Sequence, residues 1–255
     1  MPCPSGIVMP SFDLSNPKTN LMLYHPEISI SLKLRQRCES RQLARGFTLT
    51  ELLVGIAILA VFATVTTAVA RQFIIRSEAA VCANNLRMIG LASIAYSQDN
   101  HSNLPASSHQ RRMGRKSWSI DLQAYAGDAL PMRCAQDPNP NRPYSYVIND
   151  ILLPQPEGST FPDFSKTLFI ARPAATVLFV EVADDYSGGD HAHFANFRGA
   201  AIPWDAFSRQ VAIDRHGGTA NFLFVDGHVE TLNTTTVKAR LAEPGSPFID
   251  PASKP

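Results

Sequence analysis

Apolar residues run without a charged break from Leu52 to Ala70, then thin to one face of a longer repeat. The unbroken stretch is long enough for a membrane-spanning helix. Beyond Arg71, apolar or small residues recur at Ile75, Ala79, Cys82, Leu86, Ile89, Ser93 and Tyr96, alternately four and three apart. That spacing predicts one face of an amphipathic helix, with Arg76, Asn84, Arg87 and Gln98 on its wetter side. The first proline after Gly46 is Pro105, and Asp99-Asn100 before it is a stop signal. One helix from about Phe47 to Gln98 is therefore expected, roughly 75–80 Å long at ~1.5 Å per residue. Its outer half would lie in lipid and its inner half on a globular head.

Strand patterning takes over later in the chain. TVLFVEV, residues 176–182, is β-branched and apolar, as a central strand requires. ANFLFVDGHVETL, residues 220–232, reads as a hairpin, with Asp226-Gly227 as a two-residue type I′ turn. Apolar residues fill both faces before that turn, Phe222 and Phe224 on one and Leu223 and Val225 on the other. The strand should be covered on both sides, the long helix covering one. Between helix and strands, a Pro-punctuated region reads as loops around one short helix near Trp118–Tyr125, with Trp118 and Tyr125 as core or interface anchors. The fold class is α+β: a long N-terminal α-helix on an antiparallel β-sheet, with irregular Pro-rich loops.

Charge refines the picture at the N-terminus. The 255 residues carry a formal net charge of +1, so there is no electrostatic case for a nucleic-acid partner. The cluster Arg111, Arg112, Arg115 and Lys116 reads as a solvated loop. Ahead of the apolar run, Lys33, Arg35, Arg37, Arg41 and Arg45 face only Glu39, which keeps that segment cytoplasmic. An ordinary secretory signal has a shorter apolar core with its small-residue cleavage site after it. Here Gly46 stands before the core. Glu51 is harder to place, since a carboxylate in the bilayer costs on the order of 2.5–3.5 kcal/mol. Two readings stay open. Glu51 sits wet at the headgroup level, or cleavage after Gly46 makes it the fifth residue, one helical turn from a new amine on Phe47. In the second case it pairs with the amine of a neighbouring subunit.

The four cysteines, Cys3, Cys38, Cys82 and Cys134, match no CxxC zinc spacing. If the apolar run marks export, Cys82 and Cys134 reach an oxidising compartment and are candidates for a disulfide; two reduced, buried thiols are the alternative. Asp184, Asp185, Asp190, His191, His193, His216, Asp226 and His228 form a candidate metal or hydrolase constellation. His and carboxylate suit zinc, and aspartates with loop carbonyls suit calcium. The competing reading is structural: Asp226 and Gly227 make the turn while His216 bonds backbone and holds the hairpin. Calcium or another divalent ion thus stays open at Asp190, His191, His193, His216 and Asp226, and no other cofactor is called for. GxSxG, HExxH, P-loop and dinucleotide motifs do not occur.

RGFTLTELLVGIAILA, residues 45–60, resembles the class III signal of type IV prepilins and pseudopilins. The resemblance implies a pilin-like fold and a prepilin peptidase that cuts after Gly46 and methylates Phe47, with Glu51 as the assembly glutamate. It also implies other pilin subunits as partners through the helix, and a single-pass inner-membrane location with the head in the periplasm or in a filament. The leader of 46 residues is longer than usual, and Met22 is an alternative start. His216, nine residues, then Asp226-Gly227 resembles the H-X9-DG signature of a large pseudopilin-like family abundant in planctomycete and verrucomicrobial-type bacteria. Residues 82–105, 133–149 and 215–230 resemble blocks of that family, with Ala135 where a proline often follows the cysteine. The expected division is a cleaved leader, 1–46; a membrane and assembly half-helix, 47–70; an amphipathic half-helix, 71–100; and a head, 101–255. The implied role is a pseudopilin or minor pilin in a type II secretion-like or type IV pilus-like filament, and not an enzyme. A membrane-anchored metal module, or a hydrolase at His216 and Asp226, is the alternative.

Overall fold

The structure is a computed structural model that describes residues 46–127 and 129–252. The basic leader, Met22, Cys3, Cys38 and the Arg112 side chain lie outside the described residues. The chain divides at Leu49. Before that point Gly46, Phe47 and Thr48 are exposed and irregular.

Helix α1 runs unbroken over Leu49–Asp99, 51 residues, or about 75 Å at ~1.5 Å per residue. No proline interrupts it, and Leu, Ala, Ile and Arg favour the helical state. Asp99 ends it, after which His101 and Ser102 both take positive φ and turn the chain away. The two halves meet different surroundings. Residues 56–77 are exposed throughout, apolar side chains included. From Cys82 on, one stripe is buried: Cys82, Leu86, Ile89, Ser93 and Tyr96, the face the spacing predicts, while Arg76, Asn84, Arg87 and Gln98 stay exposed. Thr64, Thr66 and Thr67, within the exposed half, each donate their hydroxyl to a carbonyl three or four residues back, at 2.8–3.1 Å.

The head is a five-stranded sheet of order β3-β1-β2-β4-β5. Its strands are β1 (Tyr146–Asn149), β2 (Val177–Glu181), β3 (His191–Ala192), β4 (Thr219–Phe224) and β5 (Val229–Asn233). The β1/β2, β2/β4 and β4/β5 pairs are antiparallel, as expected, but the edge pair β1/β3 is parallel, so the sheet is mixed. β1 and β3 carry too few residues for a periodic signal to show them. The short helix expected near Trp118 is α2 (Trp118–Asp121) with a 3-10 turn at Leu122–Tyr125; Trp118 is buried against Phe179. Tyr125 is half-buried, edge-on to Tyr96 of α1. Arg111 and Lys116 are exposed, whereas Arg115 leans back to donate to the Tyr96 hydroxyl at 3.4 Å.

β4 is covered on both faces. On one side Leu223 lies under α1, so close that a Cβ at Gly90 would stand 2.8 Å from its Cδ1. On the other, Phe222 and Phe224 pack on Phe248, at 5.3 and 6.0 Å between ring centroids. Phe248 belongs to the C-terminal segment that follows α3 (Trp204–Ser208) and α4 (Thr234–Leu241). Asn233 caps α4 by accepting from the Thr236 amide.

The β4–β5 turn differs from the expected type I′. That geometry needs positive φ at two central residues, but Gly227 has φ +93° while Asp226 is not in the positive-φ region. The loop is four residues long, 225–228, and is closed by Gly227 N–H donating to the Phe224 carbonyl at 2.9 Å. The longer loop lets the turn lie on the helix: a Cβ on Gly227 would meet Ile94 Cδ1 at 2.6 Å. Asp226 accepts from the His228 amide at 3.1 Å, a local bond that shapes the turn.

Candidate functional site

Two regions carry the residues singled out by sequence. The first is the start of α1. Gly46 and Phe47 are exposed ahead of the helix, Phe47 at 89 %. Glu51 lies in the first turn of α1, where a carboxylate complements the positive end of the helix dipole. Beyond it lies an apolar stretch with no buried residue, whose length and composition suit a bilayer crossing. Leu59 is 68 % exposed and Phe62 64 %. Exposed apolar faces of this size mark membrane or protein–protein contact.

The second region lies where α1 meets the sheet. The sequence-level constellation separates there into four places. Asp184 pairs with Arg215 at 2.6 Å, while Asp185 is exposed. Asp226 and His228 sit together at the exposed hairpin end, 2.5 Å apart, with Glu230 on the other imidazole nitrogen at 3.2 Å. Asp190 is buried and accepts from Ser117 Oγ at 2.5 Å and from the Ser108 amide and hydroxyl at 2.8 and 2.9 Å. Burial disfavours its charge, but His191, Ser117 and Ser108 outweigh that and hold the carboxyl at about 2. His191 packs edge-on against His109 with centroids 4.1 Å apart, and His193 Nδ1 meets the Tyr186 hydroxyl at 2.8 Å. Asp190, His191 and His193 therefore tie the β3 edge to the loop before α2.

His216 is elsewhere, buried beside Cys82, Cys134 and Glu181. Cys82 comes from α1, Cys134 from the loop before β1, Glu181 from the end of β2 and His216 from the loop before β4. The two cysteines are brought together, with Sγ atoms 2.7 Å apart and no disulfide bond drawn between them. His216 Nε2 lies 2.8 Å from Glu181 Oε1 and 3.7 Å from Cys134 Sγ, while its Nδ1 meets Gln136 Oε1 at 2.5 Å. Asn221 of β4 donates to Glu181 at 3.4 Å and to the Ala79 carbonyl of α1 at 3.2 Å. Hydrogen bonding to Cys134 pulls the Cys82 thiol down to about 4, against burial and with help from His216; Cys134 is correspondingly pushed up. Burial opposes a charge on His216, yet bonds to Cys82 and Glu181 lift it to about 9.

His216 and Gly227 thus touch α1 at two levels, through Cys82 and against Ile94, with β4 running between them along the helix. Those levels are 12 residues apart in α1, about 18 Å at ~1.5 Å per residue. The spacing from His216 to Gly227 matches two fixings of one strand to one rod. His216 and Asp226, by contrast, flank opposite ends of β4 and share no hydrogen bond. Sequence reasoning singled out Cys82, Cys134 and His216 but missed Glu181. Its signal was a lone carboxylate inside an otherwise apolar central strand, where alternation should have placed no charge.

Residues 41–67 match the prokaryotic N-terminal methylation motif. No curated protein and no solved structure matches the chain. The motif implies processing by a prepilin peptidase and assembly with other pilins, and so supports a pilin- or pseudopilin-type structural subunit. With it, the long apolar helix is compatible with a single-pass membrane anchor.

Proposed function

We propose that the chain is a pseudopilin or minor pilin, a non-enzymatic subunit of a type II secretion-like or type IV pilus-like filament. The observation that carries this reading is the division of α1. Its inner half is built into the head, and its outer half is apolar and bare from Ile56 to Ala70. Such a half-helix needs lipid before assembly and other copies of itself afterwards. Gly55 has nothing within 4 Å of its Cβ position, which leaves room for a second helix to approach closely.

In this reading the peptidase cuts between Gly46 and Phe47, the new Phe47 amine is methylated, and Glu51 pairs with the amine of an adjacent subunit. Truncating either partner would leave a charge uncompensated among apolar helices. The head stands in the periplasm of a single-pass inner-membrane protein until assembly draws the subunit out. The two fixings of β4 on α1 give the resemblance to an H-X9-DG signature a structural meaning. Expression of the precursor with and without a prepilin peptidase, followed by N-terminal sequencing, tests the processing step. A mature chain beginning at Phe47 is expected, and a cut at any other bond overturns it. Glu51→Leu should still be cleaved but be lost from a sheared filament fraction.

A further inference from the structure

The cluster at the junction of α1 and the head holds more donors than a covalent staple would use. Among the described residues it is where His, Cys, Asp or Glu donor atoms converge as a set, all four within 4.8 Å of one another and all four residues buried. A disulfide would engage two of the four and leave Glu181 and His216 to each other. Tetrahedral zinc, with Zn–S about 2.3 Å and Zn–N or Zn–O about 2.0–2.1 Å, sets donors roughly 3.3–3.8 Å apart. The Cys134 Sγ to His216 Nε2 separation of 3.7 Å already fits. The sulfurs, at 2.7 Å, would open by about 1.1 Å and the His216–Glu181 pair, at 2.8 Å, by about 0.5 Å, both side-chain adjustments.

The surroundings also suit an ion. Metal-bound imidazole almost always gives its second nitrogen to an oxygen acceptor that fixes the ring, and Gln136 Oε1 stands at that nitrogen. Asn221 donates to Glu181 and steadies the carboxylate. Two thiolates, a carboxylate and a divalent cation sum to one negative charge. Arg215 lies within electrostatic reach of Glu181 and Cys134, its side chain 3 % exposed. Its Nε and Nη1 find no acceptor among the described residues, so positive charge stands ready beside the site.

We propose that Cys82, Cys134, Glu181 and His216 bind one borderline-soft divalent cation, zinc foremost, which clamps the helix to the head. The donor set of two sulfurs, one imidazole and one carboxylate favours zinc over calcium or magnesium, which take oxygen ligands. Four protein ligands and full burial make it a closed structural site with no open position for water chemistry. The inference stands independently of the filament reading, because it concerns how the rod is held and not what the rod joins.

The test uses the full chain, expressed with export of its head, solubilised in detergent and purified without chelator. Elemental analysis should find one zinc per chain, and thiol titration after denaturation with chelator should find both Cys82 and Cys134 reduced. Replacing zinc by cobalt should give the thiolate-to-metal charge-transfer band and the intense visible bands of a tetrahedral sulfur-ligated ion. Cys134→Ser and His216→Gln should abolish these signals. Gln136→Ala, which removes no ligand, should weaken zinc binding about 10–100-fold and so guards against misfolding of the ligand variants. A chain isolated with no titratable thiol and no metal is a disulfide protein and overturns the proposal. So does a reduced chain that takes up neither zinc nor cobalt, or one whose metal survives Cys134→Ser.

Discussion

The two halves of α1 form one regular helix and do opposite things. Leu59 and Leu86 are both leucines in the middle of a regular helix, yet one is 68 % exposed and the other fully buried. Gly55 and Gly90 repeat the contrast: nothing stands within 4 Å of a Cβ at the first, whereas Leu223 and the Gly227 carbonyl crowd the second. Both halves are helical, but the outer is apolar all round and the inner on one face only, so they differ in what each can pack against. The inner half is part of the folded unit. The outer half packs against nothing within the described residues.

Leucine truncation should split the halves most sharply. Leu86→Ala removes fully buried contacts in the core and should cost about 2–5 kcal/mol, read as a lower midpoint of thermal or urea unfolding of the detergent-solubilised chain. Leu59→Ala should leave that midpoint within about 0.5 kcal/mol. Equal effects would mean that the outer half is packed on the head after all. The glycines should give a smaller effect of opposite sign. Gly90→Ala must push Leu223 aside and should cost about 1–3 kcal/mol, while Gly55→Ala should raise helical stability by up to about 1 kcal/mol in the isolated subunit. If both alanines stabilise the isolated chain, the proximity of Gly90 to the hairpin is not a constraint.

The smallest effect is a pH dependence confined to the inner half. In the reduced, metal-free chain the His216 pKa is raised from 6.5 to about 9 by its bonds to Cys82 and Glu181, against burial. The folded state therefore binds a proton more tightly than the unfolded chain does. That stabilisation is fully present below about 6.5 and is lost as pH rises through about 9. Cys82, lowered beside Cys134, works in the opposite sense over the same window. Unfolding midpoints of the reduced, metal-free chain should therefore change little from pH 6.5 to 9, whereas His216→Gln, which removes the His216 share, should make the midpoint rise with pH. A His216→Gln chain with the same pH profile as the unsubstituted chain would contradict the protonated His216–Glu181 pair.

How much of this was legible in the sequence follows from the range of the forces involved. The rod, its buried stripe and its stop at Asp99 are written in local periodicity, and so are α2, β2 and the β4–β5 pair. β1 and β3, at four and two residues, are too short to carry a period, and their parallel pairing is set by the long connection between them. The turn at Gly227 was misjudged because Asp-Gly favours type I′ locally, while contact with Ile94 is a demand from far along the chain. The cover over Phe222 and Phe224 comes from Phe248, which no local pattern ties to β4. The same holds at the candidate site. Gly46, Phe47 and Glu51 form a contiguous signal, whereas Cys82, Cys134, Glu181 and His216 meet only through folding.

The threonines of the outer half bear on how such a helix travels. Thr64, Thr66 and Thr67 spend their hydroxyl protons on carbonyls of their own helix. They bring no unmet donor into hydrocarbon, and they require no partner hydroxyl when the helix leaves it. In the proposed role, moving residues 64–67 from a bilayer to the inside of a bundle exchanges one apolar neighbourhood for another and leaves their own hydrogen bonds unchanged. The three threonines are in this sense portable: their hydrogen bonds are carried along with the helix, and in the proposed role it is Glu51, one turn from the start, that gains a new polar partner.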